Sequence, residues 1–328
     1  MLDLRRLHTF VTVARVGSVS AAAAELAMVP SAVSQHITVL QRQLGVKLTD
    51  RSGRGIVLTA AGQLLAEYGQ ELLARANHLS AALESFQGSS GGRLRIASFQ
   101  SAGATLVPQA LGALSRLRPG VALTLVEQEA AVSIPAVKRY EVDLAIVYRY
   151  DFVPLARDDA LLQLALVEDH LRLAVPPTHP LAGAGPTPLS EFSYDQWIAD
   201  APGSPAHAFI THVCRAAGFE PRIRFTTDDY LVAARLVMEG LGVTFIPWLA
   251  LRGLTVNLTF ADLTVQPKRQ ILAVWRRDDW SAEVRTMVDL LVRQPATVPR
   301  QRRQPARPQP LGSDDEPSRV GAAEITRD

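Results

Sequence analysis

The sequence predicts an α/β protein that begins with a small helical domain, and three observations support this prediction. Residues 1–58 show helical periodicity that ends in two short strand patterns. A helix pattern without proline follows over residues 59–87. Residues 93–292 then alternate short apolar runs with amphipathic stretches, which is typical of parallel sheets covered by helices. The predicted architecture is a winged helix-turn-helix, a long linker helix and two α/β Rossmann-like subdomains.

Length and composition restrict the class of protein. A chain of 328 residues is long enough for two or three domains, and its 48% hydrophobic and 20% charged residues are ordinary for globular proteins. Every apolar run is interrupted before the roughly 18 residues that a membrane helix needs, and the N-terminus lacks the apolar core of a signal peptide. The single cysteine, Cys214, excludes an intramolecular disulfide and a four-cysteine zinc site. We therefore expect a cytoplasmic protein with no membrane segment.

Charge is unevenly distributed along the chain. The net charge is +2, yet residues 1–58 contain seven Lys and Arg against three Asp and Glu. A basic head on a mildly acidic body is typical of a protein whose head binds nucleic acid. Chance clustering would also produce an excess of this size, so the charge alone does not decide.

The first 58 residues follow the order of a winged helix-turn-helix. Helical periodicity predicts a first helix from residue 4 to about 16, and an alanine-rich helix over 21–26. A third helix is expected over 30–44, because a proline suits its first turn and a glycine follows its end. Two short helices joined by a tight connection form a helix-turn-helix. Two strands over 46–49 and 55–58 complete the predicted wing.

The third helix has one apolar stripe and one polar face. The stripe comprises Val33, Ile37, Leu40 and Leu44. The opposite face comprises Ser31, Ser34, Gln35, Thr38 and Arg42. Small side chains allow close approach to a major groove, where Gln35 can pair with adenine and Arg42 can hold a phosphate. An ordinary solvated face is the alternative, but the tight turn before this helix and the basic wing after it favour DNA recognition.

The helix over 59–87 carries a heptad pattern that predicts dimerisation. The residues of this predicted seam are Leu65, Tyr68, Leu72, Leu79 and Phe86. Arg75 occupies one intermediate position and interrupts the apolar seam. Packing on the chain's own domain is the alternative, whereas the Gly/Ser-rich residues 88–92 directly afterwards favour an exposed connector and a hinge.

The alternating region from 93 to 292 predicts a two-part ligand-binding domain. Subdomain one comprises 93–150 and 268–292, and subdomain two comprises 151–267. Ligands of parallel sheets bind beyond the carboxyl ends of the strands. The residues at these positions, which we expect to bind the effector, are Ser98, Phe99, Gln100, Ser101, Gln128, Tyr148, Ser204 and Thr226. A plain helix cap is the alternative for Ser101.

Residues 293–328 are rich in Pro, Arg and Gln and predict a disordered tail.

Residues 7 to 62 also carry a spaced pattern that is specific to one family. It reads Leu7-x-x-Phe10, Gly17-Ser18-Val19-Ser20-x-Ala22-Ala23-x-x-Leu26, Ala32-x-Ser34-x-x-Ile37-x-x-Leu40, Leu44-Gly45-x-x-Leu48-x-x-Arg51 and Leu58-Thr59-x-Ala61-Gly62. In this pattern the chain resembles the LysR-type transcriptional regulators. The resemblance implies a dimerising linker helix, further pairing into tetramers, and an effector-binding domain of the periplasmic-binding-protein type.

The resemblance also implies roles for the wing and shows where this chain departs from the family. Arg51 and Arg54 would contact the DNA backbone or the minor groove. His36 would either contact a phosphate or be partly buried, and the sequence leaves both open. The departures from the family's usual residues are Val29-Pro30-Ser31, Gln35-His36, Gln41 and Thr49. These departures affect which operator sequence the protein would recognise.

These observations predict a sequence-specific transcriptional regulator whose activity is modulated by a small-molecule effector. The expected partners are double-stranded DNA with an inverted repeat, the effector, a second copy of the chain, and RNA polymerase if the protein activates. The sequence has no phosphate-binding loop, no H-E-x-x-H and no G-x-S-x-G motif, so we expect no enzyme and no cofactor. The spacing of His207, His212 and Cys214 does not place all three on one helix face, so we expect no metal site. The rival hypothesis is a small-molecule-binding protein or enzyme whose helical head serves only assembly.

Overall fold

The computed structural model describes residues 2–52, 55–86, 92–152, 158–279, 281–294 and 309–311. The chain forms two compact units, each made of three separate segments. The first comprises Met1–Phe99, Pro108–Ala145 and Asp279–Leu290, and the second comprises Gln100–Val107, Ile146–Asp278 and Leu291–Asp328. In the described part of the chain, no helix is long and apolar enough to cross a membrane.

The N-terminal part of the first unit contains the predicted three helices and the hairpin. They are α1 (Leu4–Val16), α2 (Val19–Glu25), α3 (Pro30–Leu44), β1 (Thr49–Ser52) and β2 (Gly55–Leu58). The second helix begins earlier than predicted because the side chain of Ser18 caps it. The first wing strand begins three residues later than predicted, because residues 46–48 form the connection from α3 to the wing.

The three helices enclose a small core of their own. Its largest fully buried members are Leu7, Phe10, Leu40 and Leu48. Val33 and Ile37 of the predicted stripe are also buried, whereas Leu44 is 39% exposed. The apolar stripe was expected to face the core, and for Leu44 this expectation was wrong: it is the last residue of α3, and the left-handed Gly45 after it ends the helix.

The linker helix, α4 (Ala60–Phe86), has 27 residues and is about 40 Å long at the usual rise per residue. Thr59 caps it, because its Oγ1 accepts a hydrogen bond from the N–H of Gly62 at 3.1 Å. The helix packs on α1 at Gly69, where an added Cβ would lie 2.8 Å from Cδ1 of Leu7. The start of α4 is therefore part of the head domain as well as a connector.

The remainder of the first unit contains a parallel strand pair. Strands β3 (Arg93–Ser98) and β4 (Ala122–Glu127) run in register from Arg93 opposite Ala122 to Ser98 opposite Glu127. Helix α6 (Ala130–Lys138) follows β4. Three elements have residues in both units, namely α5 (Gln100–Leu117), β5 (Leu144–Arg149) and α10 (Ala282–Arg293).

The second unit is organised around one long strand, β6 (Asp158–Val175). It pairs antiparallel with β9 (Thr244–Pro247), β10 (Thr259–Ala261) and β11 (Lys268–Arg276). A separate parallel pair joins β7 (Gln196–Ala199) to β8 (Arg222–Thr226). The helices of this unit are α7 (Pro205–Ala216), α8 (Tyr230–Met238) and the short α9 (Trp248–Leu251), and a short 3-10 helix spans Leu189–Phe192.

The apolar pattern of the sequence predicts a strand only over residues 171–175, the last five residues of β6. Charged residues between 158 and 170 interrupt the apolar pattern there, and strand pairing with β11 overrides them.

The prediction that residues 293–328 are disordered also needs correction. Arg293 ends α10, and Gln309–Leu311 form β12, which pairs antiparallel with β6. Residues 295–308 and 312–328 lie outside the described residues.

Candidate DNA-binding surface and effector site

The polar face of α3 is exposed to solvent along its whole length. Its five predicted residues are all exposed, namely Ser31, Ser34, Gln35, Thr38 and Arg42. The hydroxyl of Thr38 donates to the carbonyl of Ser34 at 2.9 Å, so its oxygen remains available only as an acceptor. Gln35 and Arg42 are the long side chains of this surface, and they supply donors that can reach base edges and phosphates.

His36 lies between this polar face and the core of the head. Its Nδ1 is 2.8 Å from Oγ1 of Thr9, a residue that is 1% exposed. The hydroxyl of Thr9 donates its one proton to the carbonyl of Arg5, so Nδ1 of His36 is the donor in the contact between the two side chains. Of the two roles that the sequence left open for His36, the structure shows partial burial.

The wing is only partly described. Its hairpin pairs Thr49 with Leu58 and Ser52 with Gly55. Arg51 belongs to β1, but its side chain lies outside the described residues, as does the whole of Arg54. Their contacts with DNA remain predictions.

The connection that leads into the wing is held by two side chains that the sequence reasoning did not nominate. Oε1 of Gln41 accepts from the backbone N–H groups of Leu48 and Thr49, at 2.8 and 3.3 Å. The hydroxyl of Thr59 donates to the carbonyl of Lys47 at 2.7 Å. The sequence pattern identified Gln41 only as a departure from the family, because a contact between a side chain and backbone seven residues away leaves no periodic signal.

The linker helix carries an exposed apolar stripe along one side. Three of the five predicted seam residues belong to it: Tyr68, Leu72 and Leu79 are 57%, 45% and 60% exposed. Two leucines that the prediction missed extend the stripe, namely Leu64 and Leu83.

The other two predicted seam residues are not part of this stripe as described. Leu65 is partly buried and packs against the core of the head. Leu65 shares a helix face with Leu72, one heptad later, but the head packs against that face at the start of α4. The side chain of Phe86 lies outside the described residues.

Three predicted effector residues belong to the first unit. Ser98 and Phe99 are both buried, and the hydroxyl of Ser98 donates to the carbonyl of Phe99 at 3.1 Å. Gln128 is different: its Oε1 is buried and has no hydrogen-bond partner among the described residues. An unpaired buried acceptor is costly, and it is typical of a position that a ligand or water completes.

In the second unit, the structure joins Ser101 to a buried ion pair. Oγ of Ser101 accepts from Nη2 of Arg269 at 2.8 Å. Arg269 also donates from Nε to Oδ2 of Asp169 at 2.9 Å, and its Nη2 forms an ion pair with the same oxygen at 2.9 Å. Its guanidinium carbon lies 4.7 Å from the ring centre of Tyr148. Asp169 in turn accepts from the N–H of Leu249 at 2.9 Å. Ser101 and Tyr148 are thus linked through Arg269.

The charge of Arg269 is stabilised by its neighbours although the side chain is 1% exposed. Burial by itself would lower the pKa of Arg269, but the surrounding Tyr230, Asp169, Tyr150 and Tyr148 raise it overall. The guanidinium is therefore permanently charged. Because Asp169 neutralises it, Arg269 acts on Ser101 as a fixed donor and is not a free cation.

The remaining predicted effector residues, Ser204, Thr226 and Gln100, lie at three different places in the fold. Ser204 caps α7 by accepting from the N–H of His207 at 3.0 Å, whereas Thr226 is exposed at the end of β8. Gln100 is the first residue of α5 and is half-buried. For Ser204, the helix cap accounts for the residue type without a ligand.

Aromatic side chains extend from Tyr148 within the second unit. Tyr148 meets Tyr150 edge-on at 5.7 Å, and Tyr150 stacks on Phe209 at 4.5 Å. Burial raises the pKa of Tyr150, so this phenol stays neutral. His212 stacks on Phe152 at 3.8 Å. The region next to the Ser101–Arg269 contact is therefore apolar and aromatic.

Two family models match the chain, and together they cover most of it. Residues 4–63 match the bacterial regulatory helix-turn-helix protein, lysR family, and residues 87–296 match the LysR substrate binding domain. Among curated proteins, a probable RuBisCO transcriptional regulator of Porphyra purpurea is 30% identical over 74% of this chain and 77% of its own length. The HTH-type transcriptional regulator GltR of Bacillus subtilis (strain 168) is 29% identical over 75% of this chain and 80% of its own.

Solved structures share the fold. CbnR, a LysR family transcriptional regulator, superposes with a TM-score of 0.65 at 20% identity, covering 88% of this chain and 98% of its own. Full-length CbnR has also been solved with its target DNA, and that structure matches with a TM-score of 0.65 at 21% identity, covering 88% of this chain and 99% of its own.

Proposed function

The chain belongs to the LysR family and is a DNA-binding transcriptional regulator with an effector-binding domain, and from this premise we propose how its residues carry out that function. A homodimer binds an inverted repeat in double-stranded DNA in the cytoplasm. The exposed face of α3 enters the major groove, where Gln35 reads base edges and Arg42 holds a phosphate. The wing residues Arg51 and Arg54 contact the backbone or the minor groove. The protein has no enzymatic activity of its own.

The observation that supports this proposal is the exposure pattern of α3. Its apolar residues Val33, Ile37 and Leu40 are buried in the head, whereas the polar face that includes Gln35 and Arg42 is exposed. This helix is the second of a helix-turn-helix pair, the position that enters the major groove in such domains.

The stripe on α4 supports the proposed dimer. Leu64, Tyr68, Leu72, Leu79 and Leu83 are each at least 45% exposed, and an exposed apolar stripe of this kind is typical of a surface that binds another protein. A second copy of α4 would cover it as a helix pair and place two recognition helices on the two half-sites. Pairing of dimers into tetramers remains part of the proposal.

The contact between Arg269 and Ser101 supports a small-molecule effector that presents an acceptor atom. Because Oγ of Ser101 accepts from Arg269, the proton of this hydroxyl is left to donate. A carboxylate or carbonyl oxygen is the matching group, and the neighbouring aromatic rings suit an apolar body. Such a ligand shifts the regulator between two states only if it binds them with different affinity. An activator would pass this change on to RNA polymerase.

A nuclease footprint on the DNA upstream of the protein's own gene, across a salt series, tests DNA recognition. We expect a protected inverted repeat whose log affinity falls steeply with log salt. Gln35→Ala should relax base choice, while Arg42→Ala should weaken all sequences alike and reduce the salt slope by about 1. Gln43→Ala, on the same helix, is the matched control. Absence of protection at every salt concentration, on this and on genomic fragments, would favour the assembly-only head.

The effector site is tested separately by thermal shift with a panel of small aliphatic and aromatic carboxylic acids. An effector should raise the Tm of the wild type by mass action, and Ser101→Ala should reduce that shift. If a ligand shifts both proteins equally, Ser101 does not donate to it.

A further inference from the structure

One side-chain oxygen of the recognition helix binds the connection to the wing at two neighbouring backbone N–H groups. Gln41 is half-buried on α3, one residue before Arg42, and its Oε1 accepts from the N–H groups of both Leu48 and Thr49. An amide oxygen has two lone pairs, so these two bonds use its full acceptor capacity. Thr49 is the first residue of β1. The side chain therefore ties α3 directly to the start of the wing.

The same connection is held from its other side by the linker helix. Thr59 donates to the carbonyl of Lys47 at 2.7 Å, and its own N–H donates to the carbonyl of Leu48 at 3.0 Å. Gly62 packs against that carbonyl so closely that an added Cβ would lie 2.0 Å from the oxygen. The wing base is thus fixed to the helix that reads DNA and to the helix that carries the exposed apolar stripe.

Because Leu48 of this connection is buried, its backbone N–H group depends on the hydrogen bond to Gln41. Leu48 is 1% exposed, and a buried backbone N–H requires a hydrogen-bond partner. The described partner of that N–H is Gln41. Loss of the amide oxygen leaves a buried donor that is satisfied only if the connection moves, and a movement there displaces the wing relative to α3.

We propose that Gln41 is a positioning residue for DNA recognition, which fixes the wing in register with the recognition helix so that both elements meet the DNA together. This inference rests on the proposed function, in which the wing arginines contact DNA. Gln41 acts through the backbone of Leu48 and Thr49 and not by touching DNA. Its effect should therefore appear in what the wing contributes to binding.

The measured quantity is the factor by which Arg51→Ala weakens DNA binding, compared across variants of the full-length protein. In the wild type we expect this factor to be roughly tenfold, the size of one charge-assisted phosphate contact. Gln41→Met removes the amide oxygen at similar length, and Gln41→Asn keeps the amide but shortens its reach. In both, the factor should fall toward one, because a displaced wing no longer brings Arg51 to the DNA.

Two matched variants keep the test specific. Gln43→Met makes the same substitution two residues along α3 at an exposed position, and it should leave the Arg51 factor unchanged. Gln41→Glu keeps an acceptor for both N–H groups, so it should preserve the factor whatever its added charge does to the absolute affinity. Amide hydrogen exchange of Leu48 and Thr49 should accelerate in Gln41→Met and Gln41→Asn only.

The outcomes separate the inference from the proposed function. If the wild type binds DNA but Arg51→Ala has the same effect in every background, Gln41 does not position the wing and the inference is overturned. If the wild type protects no DNA, the proposed function fails first. If Gln41→Met does not fold, the Gln41→Asn and Gln41→Glu pair decides by the same factor.

Discussion

Arg75 of the linker helix donates a hydrogen bond from Nε to the hydroxyl of Tyr140 at 2.6 Å, and its guanidinium carbon lies 5.4 Å from the centre of that ring. Tyr140 is buried and has a left-handed backbone conformation, with φ of +58°. A bulky residue in that region costs about 1–2 kcal/mol and persists only where its surroundings hold it. Arg75, which interrupts the apolar seam of α4, therefore has a partner within its own chain. That partner is Tyr140, which lies shortly after the end of α6.

A double-mutant cycle measures this pair. Tyr140→Phe removes only the hydroxyl, and Arg75→Met removes the charge and the donor while it keeps most of the side-chain length. We expect a coupling of about 1 kcal/mol in the free energy of unfolding, measured with urea. Tyr68→Phe, which removes a hydroxyl from an exposed tyrosine of the same helix, is the control and should change little. Additive effects of the two substitutions would show that the contact contributes no stability.

The buried pair of Asp169 and Arg269 should be critical for the second unit. These residues face each other across β6 and β11, at 3% and 1% side-chain exposure. Asp169→Asn leaves Arg269 as an uncompensated buried charge, which costs about 3–5 kcal/mol. The neighbouring Glu168→Gln breaks an exposed pair with Lys268 and should cost at most about 1 kcal/mol. Chemical denaturation of both variants checks this, and equal losses would contradict it.

The turn of the helix-turn-helix contains a strained alanine. Ala27 has φ of +51°, a conformation that glycine adopts without penalty. Ala27→Gly should therefore raise the free energy of unfolding by up to about 1 kcal/mol, since relief of the strain exceeds the added chain entropy. Ala24→Gly, in α2 just before the turn, should instead lower stability by about 1 kcal/mol. Thermal unfolding of the two variants should move in opposite directions, and a drop in both would sink the strain argument.

Cys214 should be inert in the folded protein. Burial raises the pKa of its thiol from 9.0 to about 12, with a smaller contribution from Glu220. At pH 8 the thiolate fraction is then roughly a thousandfold lower than in the unfolded chain, which should slow alkylation by iodoacetamide accordingly. Because the folded pKa is the higher one, the stability from keeping this thiol neutral is present below pH 9 and is lost as pH rises through about 12. Fast alkylation of the native protein would contradict the burial, with Cys214→Ser as the blank.

The tail strand should protect an edge of the second unit. Gln309–Leu311 pair with β6 from Gln163 to Asp158, so truncation after Gln294 leaves backbone groups of that strand unpaired. We expect this truncation to associate beyond the state of the full-length protein in sedimentation velocity. A truncation after Leu311 retains the strand and should behave as the full-length protein does. Identical behaviour of the two truncations would show that β12 contributes nothing to solution behaviour.

Local patterns in the sequence determined the head and the linker helix. Their helices have apolar stripes at helical spacing, and side-chain caps or terminal glycines mark several of their ends, such as Ser18 before α2 and Gly45 after α3. All of these signals act within a few residues of each other along the chain. For the same reason the exposed face of α3, with Gln35 and Arg42, could be named without coordinates.

Tertiary structure alone decided the contacts that join distant parts of the chain. Arg269 meets Asp169 across a separation of 100 residues and Ser101 across 168. No periodicity records which charge faces which, because strand register brings them together. The same holds at shorter range for Gln41, whose acceptor finds backbone seven residues away, and for Leu65, which packs on the head. The sequence by itself determined the apolar and polar faces of the helices. The pairing of individual side chains depended on three-dimensional packing, because a buried polar group must find a partner wherever the fold places one.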